Sequence, residues 1–249
     1  YDTHGADALR WYLISSPILR GNNLAIDSKG RVFADVIRQA ILPLWNAYAF
    51  FCMYANADGV KAKERVDATA VLDRYVLGKT RELVEQVQAA MDRYDVPSAC
   101  QAIQTFTDAL NNWYIRRSRE RFWSSEKTQD KQDAYDTLYT VLITVLKTSA
   151  PFLPMIAEEI FRGLTGKDSV HLEDWPDVSA FPQDPQLVRS MDLARDVCSA
   201  ALALRKAKNL RVRLPLRTLT VAGEGATALA PYTSLIGDEV NVKDVALVE

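Results

Sequence analysis

Long stretches of helical periodicity, separated by short breaks that often contain proline, dominate this sequence of 249 residues. In the longest, from about Lys29 to Ala55, apolar residues recur at three- and four-residue spacings, which predicts a helix with one buried face. The same pattern predicts further helices over Asp7–Ile14, Asp67–Tyr94, Pro97 to about Ser124, Asp130–Thr148, Met155–Leu164 and Gln186–Ala207. Helices of this length joined by short connections favour an antiparallel helical bundle.

Three residues predict local features of these helices. Pro43 should kink the longest one, because proline removes a backbone hydrogen bond and its ring clashes with the preceding turn. Asp67 is the predicted N-cap of the helix that follows. Pro97 suits the first turn of the next helix, where its missing N–H costs nothing.

The pattern changes after Gly166, and this change sets the predicted domain organisation. Residues 1–165 form the predicted bundle, residues 166–215 a connector with a junction helix, and residues 216–249 the start of a small α/β region. In that last part Leu216–Val221 and Val240–Val248 have β-like composition, with a possible short helix between them. The predicted fold class is therefore mainly α, an antiparallel helical bundle followed by a small, truncated α/β tail.

Composition narrows the class of protein. The three cysteines are scattered and form no C-x-x-C pair, which favours reduced thiols in a cytoplasmic protein over a disulfide framework. With only two histidines we expect no metal site, and no stretch is apolar and long enough to predict a membrane span. The chain begins at Tyr1 within a helix-like pattern, so we interpret it as a piece of a longer protein.

One segment, Asn111–Trp123, concentrates positive charge in a chain whose net charge is −2. It contains four arginines and one glutamate, and tryptophans lie near both of its ends. On a helical wheel its apolar residues continue the bundle-facing side of the helix. The solvent-facing side is predicted to carry Asn112, Arg116, Arg119 and Trp123, while Arg117 and Arg121 lie nearer the bundle.

These arginines have two interpretations. Each one alone is explained by solvent exposure or by pairing, as for Arg116 and Glu120 at i, i+4. As a group, they form a positive surface beside an indole, which suits RNA phosphates and an unpaired base. Arg116, Arg119 and Trp123 are the first candidates for RNA contact, whereas Arg117 and Arg121 could be structural ion pairs. Trp45 is interpreted as a core residue.

A second basic segment, Leu204–Arg217, contains six cationic residues and no acidic one. Cations near a helix C-terminus also complement the helix dipole, so this pattern alone does not establish a ligand. A polyanion contact is the alternative, with Lys206, Lys208, Arg211 and Arg213 as the candidate contacts to an RNA backbone.

No catalytic set is predicted. Gly78-Lys79-Thr80 resembles the end of a phosphate-binding loop, but Asp73 occupies the position of the first glycine. Glu158 and Glu159 are adjacent in sequence and would point about 100° apart on a helix.

Several segments resemble one family. GADALRWYLISSPILRGNNL near the start, Leu44–Tyr48 (LWNAY), NNWYIRRSRERFW, APFLPMIAEEIF and SVHLEDWP are similar to segments of the class I aminoacyl-tRNA synthetases for branched aliphatic amino acids and methionine. Ser15-Ser16-Pro17 and the RFW ending favour the isoleucyl-tRNA synthetases among them.

The resemblance implies that the chain is the anticodon-binding portion of such an enzyme. The parent would ligate isoleucine to its tRNA with ATP and Mg²⁺, and the catalytic and editing signatures lie outside this chain. Its partners would be the isoleucine tRNA and the rest of the synthetase chain, with no membrane and no cofactor in this segment. The alternatives are the same domain of a valyl- or leucyl-tRNA synthetase, or a helical protein-interaction module.

Overall fold

Helices account for most of residues 4–24 and 30–249, the part of the chain described by the computed structural model. The first compact unit ends at Gln183, and the second spans Asp184–Glu249. In the first unit the helices are α1 (Ala6–Ser15), α2 (residues 31–58), α3 (Val71–Asp92), α4 (residues 96–123), α5 (Gln129–Ser149) and α6 (Pro154–Thr165), with short 3₁₀ turns at Pro17–Arg20 and Val170–Leu172.

Helix α2 runs without a break through a local widening of its backbone. It consists of Arg31–Val36, a π-helical turn at Ile37–Ile41, and Leu42–Asp58. The predicted kink residue, Pro43, lies two residues after the π turn, where the altered hydrogen-bond pattern accommodates its missing N–H. The predicted start of this helix at Lys29 lies outside the described residues.

Two sequence-based predictions on α2 and α3 were wrong. Helix α3 begins at Val71 with Ala70 as its N-cap, because Asp67 instead forms an ion pair with Arg65 in the extended segment before the helix. Trp45 is not a core residue: its side chain is 40% exposed and makes an edge-on contact with Tyr48.

The extended segment between α2 and α3 is held along α5. The backbone N–H of Lys63 donates to the carboxylate of Asp136 at 3.0 Å, and that of Arg65 donates to the hydroxyl of Thr140 at 2.7 Å. These bonds satisfy backbone groups that no strand or helix partner would otherwise satisfy.

Helix α4 begins where the sequence predicts. Asp95 is its N-cap, with a side-chain oxygen accepting from the N–H of Ser98, and Pro97 lies in its first turn. The helix consists of Val96–Ala109, a π-helical turn at Leu110–Ile115, and Arg116–Trp123, and it ends at the C-cap Ser124. The arginines therefore follow directly on a π turn, whereas a helical wheel assumes regular α-helix throughout.

Contacts between helices establish the directions of the bundle. The side chain of Asn111 on α4 donates a hydrogen bond to the carbonyl oxygen of Pro43 on α2. Near the helix ends, the indole N–H of Trp123 on α4 donates to the hydroxyl of Tyr54 on α2. Helices α2 and α4 therefore run in the same direction. Tyr135, early in α5, is bonded to Asp58 at the end of α2, so α5 runs the opposite way.

The core of this unit is formed by large side chains from every one of its helices. The largest fully buried ones include Trp11, Tyr75, Leu77, Ile103, Leu110, Tyr114, Phe122, Tyr135, Leu138, Phe152 and Phe161. Helix α1 is fixed to α6 by its buried Asp7, whose carboxylate accepts from the backbone N–H groups of Met155 and Ile156. This carboxylate caps α6, whose own N-cap residue, Leu153, provides no side-chain hydrogen bond.

The second unit consists of α7 (Pro185–Ala207), β1 (Leu216–Ala222), a 3₁₀ turn (Ala226–Tyr232), α8 (Thr233–Val240) and β2 (Val242–Val248). The two strands pair in parallel, with Leu216 opposite Val242 and Ala222 opposite Val248. The helical crossover packs on the strands and on α7. Parallel pairing requires such a crossover, since a tight hairpin can join only antiparallel strands.

The fold class predicted from the sequence, a helical bundle followed by a small α/β tail, is confirmed. The predicted domain boundaries at residues 165 and 215 stay a prediction. Contacts within the chain divide it into two compact units after Gln183. In the described ranges no helix combines the length and the apolar character that crossing a membrane requires.

Candidate nucleic-acid interface

The packing of α4 sorts the four arginines of Asn111–Trp123 into different environments. Arg116 and Arg119 are exposed, and Arg117 and Arg121 are half-buried. Asn112 is exposed as well, and 57% of Trp123 is accessible to solvent. The predicted solvent-facing side is thus present, despite the π turn that contains Asn112.

Arg121 is a structural residue. Its guanidinium donates to both carboxylate oxygens of Asp73 at 2.7 and 2.8 Å, and Asp73 is fully buried on α3. Asp73 also accepts from the hydroxyl of Tyr114 at 2.8 Å, and Arg121 contacts the exposed Asp130 on α5. One arginine therefore connects three helices and sets the orientation of the end of α4.

The charges in this network reinforce one another. Burial opposes the charged form of Arg121, but hydrogen bonding to the carboxylate of Asp73 holds its pKa above the ordinary value. Burial, together with that carboxylate, raises the pKa of Tyr114 well above its usual range. The charged form of Arg121 is therefore favoured, and the two aspartates already occupy most of its donor N–H groups.

Arg119 has the opposite character. It is exposed, and within residues 4–24 and 30–249 it makes no hydrogen bond or ion pair with another side chain. A guanidinium without an internal partner can bind a phosphate through two parallel hydrogen bonds. Among the four arginines, Arg119 is the best placed for an external anion.

Trp123 is exposed but held in place. Its indole N–H donates to the hydroxyl of Tyr54 at 2.6 Å, and the ring of Tyr54 packs against that of Phe50 at a centroid distance of 4.8 Å. Phe50 in turn packs edge-on against the buried Phe122. These aromatic side chains form a row beside the arginines. A helical wheel of α4 does not reveal this row, because Phe50 and Tyr54 belong to α2.

The row leads into a groove between α2 and α4 with a volume of about 470 Å³. Both π turns contribute to its walls: Gln39 comes from the first, and Asn111 and Asn112 come from the second. A π turn is rare in helices and often marks a functional site. Pro43 within α2 was the one signal in the sequence that could have indicated such a distortion.

In the second unit the predicted contacts Lys206, Lys208, Arg211 and Arg213 are all exposed. Among the described residues none of the four has a hydrogen bond or an ion pair through its side chain. Arg205, which lies in the same basic segment, is instead 4% exposed and donates to the carbonyl oxygens of Arg211 and Leu214. It holds the turn that follows α7 and is not available for a ligand.

No group of three or more metal-ligating side chains lies together in the described ranges. Gly78 and Thr80, from the segment that resembles a phosphate-binding loop, are buried within helix α3. The predicted absence of that motif is consistent with this environment, since a phosphate loop must expose its backbone N–H groups.

Comparison with known proteins identifies the class to which this bundle and its basic helix belong. Residues 73–220 match the model of the anticodon-binding domain of tRNA ligases, and the chain belongs to that family. Over its whole length it is 51% identical to isoleucine–tRNA ligases of Leifsonia xyli and Mycobacterium tuberculosis, and 42% identical to that of Wolbachia pipientis. The resemblance to isoleucyl-tRNA synthetases is therefore confirmed.

The chain spans 22 to 25% of the length of these relatives. A solved structure also shares the fold, that of a leucyl-tRNA synthetase from Agrobacterium radiobacter K84 in a ternary complex with tRNA and LeuAMS. The match covers 74% of this chain and 20% of the other, with a TM-score of 0.53 and 20% sequence identity.

Proposed function

We propose that this chain binds the anticodon stem–loop of an isoleucine tRNA, as part of a longer isoleucine–tRNA ligase. The observation that carries the proposal is that Arg119, which has no side-chain partner among the described residues, lies on the same helix as the exposed Trp123 at the end of an aromatic row. Guanidinium groups bind the RNA backbone, and aromatic rings stack on bases that are not paired. A hairpin loop offers both a phosphate backbone and unpaired bases.

The exposed cations of the second unit support the same partner. Four exposed cations in a segment without an acidic residue can neutralise phosphates at any RNA sequence, which contributes affinity without specificity. In this proposal Lys206, Lys208, Arg211 and Arg213 contact the tRNA backbone, while Arg116, Arg119, Trp123 and Asn112 contact the stem–loop. Arg117 is half-buried on the same helix as these stem–loop contacts. Arg121 acts only by holding α4 in place.

The longer protein would activate isoleucine with ATP and Mg²⁺ and transfer it to the tRNA. It would act in the cytoplasm, where protein synthesis takes place. A hydrophobic pocket separates isoleucine from valine only about 150-fold, so such an enzyme also needs an editing site. The described part of this chain presents no constellation for either reaction, so those steps belong to other segments of the enzyme.

The test is binding of the chain to fluorescein-labelled isoleucine tRNA, and to the same tRNA with a changed anticodon, at about 50 and 200 mM salt. The variant is Arg116→Ala/Arg119→Ala/Trp123→Ala. The matched control is Arg93→Ala, because Arg93 is equally exposed but lies just before the start of α4, about 35 Å from Arg119 along the helix.

We expect tighter binding to the native anticodon, lost in the triple variant and retained in the control. An acidic peptide should not compete. Competition by a polyglutamate peptide, with no preference between the two tRNAs, would instead identify the alternative, a helical protein-interaction module.

A further inference from the structure

A buried lysine joins the ends of three helices in the first unit. Lys131 lies in the first turn of α5, and only 4% of its side chain is exposed. Its ammonium group donates to the carbonyl oxygen of Ser124, the C-cap of α4, at 2.6 Å. It also pairs with the carboxylate of Asp58, the last residue of α2, at 2.6 Å. Asp58, Ser124 and Lys131 together form the Lys131 bridge.

The bridge places one positive charge where negative charge accumulates. Helices α2 and α4 run in the same direction, so the negative ends of both helix dipoles lie at this ammonium group. The carboxylate of Asp58 adds a full negative charge. Hydrogen bonds from Lys131 and from the hydroxyl of Tyr135 lower the pKa of this carboxylate. The bridge therefore holds the two helix ends together through charge.

The bridge lies next to the exposed indole of the candidate site. Trp123 is the last residue of α4 and directly precedes Ser124, while Tyr54 lies one turn before Asp58 on α2. The indole N–H donates to the hydroxyl of Tyr54 at 2.6 Å. Two connections therefore join the same two helix ends, one through Trp123 and Tyr54 and the other through Lys131. A shift of either end would change the orientation of the indole ring.

Lys131 itself cannot act on an RNA ligand by contact. Two of the three N–H groups of its ammonium are bonded within the bundle, and its side chain is almost inaccessible to solvent. Trp123, in contrast, is 57% exposed. Any influence of Lys131 on RNA binding must therefore pass through the groups that it holds in place.

We propose that Lys131 is a positioning residue for RNA binding, because it joins the ends of α2 and α4 and thereby fixes the plane of Trp123 on which an unpaired base stacks. A ring that is already oriented loses less conformational freedom when a base binds. Loss of the bridge should therefore lower affinity without removing any group that touches RNA. This inference rests on the proposed function, since it concerns how the stacking surface of that site is held.

The test variant is Asp58→Asn/Lys131→Met, which removes both charges together and so leaves no unpaired buried charge. The matched control, Lys147→Met/Glu173→Gln, removes a partly buried ion pair near the other end of α5, about 24 Å from Lys131 along the helix. Tyr135→Phe is a milder second variant, because it removes only the hydroxyl bonded to Asp58. Circular dichroism and thermal unfolding identify the variants that are folded.

The first measurement needs no RNA. Fluorine NMR is recorded on chains labelled with fluorotryptophan, and Trp123→Phe assigns the signal of Trp123. This signal should shift or broaden in the test variant, and to a smaller extent in Tyr135→Phe, because the ring loses its fixed orientation. It should stay unchanged in the control, whose ion pair lies at the other end of α5.

The second measurement compares binding to a hairpin that carries the anticodon loop with binding to a blunt duplex RNA. The test variant should bind the hairpin about 3- to 10-fold more weakly, a part of what removal of a stacking ring costs. It should bind the duplex with unchanged affinity, and in a Trp123→Ala background it should cause no further loss, because both changes act on the same interaction. The control should bind both RNAs as the wild type does.

Two kinds of result would overturn the positioning role and leave the proposed function standing. One is an unchanged Trp123 signal in the folded test variant, or in Tyr135→Phe if the test variant does not fold. The other is a hairpin affinity that is unaltered, or that falls equally with and without Trp123, while Trp123→Ala alone still weakens binding. If neither Trp123→Ala nor Arg119→Ala changes hairpin binding, the proposed function fails, and the role of Lys131 fails with it.

Discussion

The two basic segments of this chain show how differently a fold can use the same charge. In Asn111–Trp123 the arginines lie on a helix that is embedded in a bundle, beside amides, a carboxylate and a row of aromatic rings. In Leu204–Arg217 the cations extend from a helix end into an exposed turn, without an aromatic residue in the segment. The first surface offers stacking and hydrogen-bonding groups as well as charge, whereas the second offers charge alone.

One arginine supports each segment from the inside, and the two do so by different means. Arg121 is paired with a carboxylate that is fully buried, so it fixes the helix through charge. Arg205 donates to two backbone carbonyl groups, so it fixes the shape of the turn. Other cations of each segment stay exposed, namely Arg116 and Arg119 in the first and Lys206, Lys208, Arg211 and Arg213 in the second.

The largest expected effect concerns the network that fixes α4. Asp73→Ala would leave Arg121 and Tyr114 without their buried acceptor and should lower the free energy of unfolding by about 3–5 kcal/mol. Urea unfolding at neutral pH, followed by circular dichroism, measures the change. Asp130→Ala is the control, because it removes the exposed partner of the same arginine and should cost less than about 1 kcal/mol. Equal losses would show that Arg121 is not fixed mainly through Asp73.

The second prediction concerns the basic turn. Replacing Lys206, Lys208, Arg211 and Arg213 by alanine should make the negative slope of log affinity against log salt shallower by about 3, because four phosphate contacts are lost. Between about 50 and 200 mM salt, that slope corresponds to about a 50-fold change in affinity. Titration of RNA hairpins of different sequence at both salt concentrations provides the measurement.

This loss should be the same for every hairpin, and a variant that exchanges lysine for arginine at the four positions should retain the slope. A loss that depends on loop sequence would mean that the basic turn also reads bases, and the contrast between the two segments would then disappear.

The third prediction concerns stacking in the first segment. Trp123→Ala should weaken binding to a hairpin loop by about 1–3 kcal/mol and leave binding to blunt duplex RNA unchanged, since a duplex offers no splayed base. Tyr54→Phe removes only the hydroxyl that holds the indole and should have a smaller effect. An equal loss for loop and duplex would assign the tryptophan to general affinity. Fluorescence anisotropy with both RNAs decides between these results.

The smallest effect is a pH dependence at the start of α4. Hydrogen bonds from Ser98 and pairing with Arg20 lower the pKa of Asp95 from 3.8 to about 2. Because the pKa is lower in the folded chain, the stabilisation is fully present above about pH 4 and is lost as the pH falls towards 2. The difference in the free energy of unfolding between the wild type and Asp95→Asn should shrink over this range. A difference that stays constant from pH 6 to pH 2 would show that the charge of Asp95 is not involved.

Much of the bundle could be predicted from the sequence, because its helices are determined by local patterns. Apolar spacing and the position of Pro97 each act within a few residues, and the observed helices follow them. The prediction that Asp67 caps α3 was wrong because its carboxylate has a stronger partner in the neighbouring Arg65. Capping propensity is a local preference that a charged neighbour overrides.

The candidate site was predicted only in part, because some of its residues lie on one helix and others come from a second helix. The exposed side of α4 follows from helix geometry, so Asn112, Arg119 and Trp123 could be named in advance. Phe50 and Tyr54 could not, because they come from another helix, and nothing in the sequence states which helix packs beside α4.

The sequence by itself determined where the helices form, which of their faces are apolar, and where positive charge is concentrated. Only the tertiary structure decided the role of each charge. Arg119 and Arg121 are two residues apart, yet one reaches solvent and the other reaches Asp73, 48 positions earlier in the chain. Charge is a property of a residue, whereas the availability of that charge depends on which acidic group the packing of distant helices brings beside it.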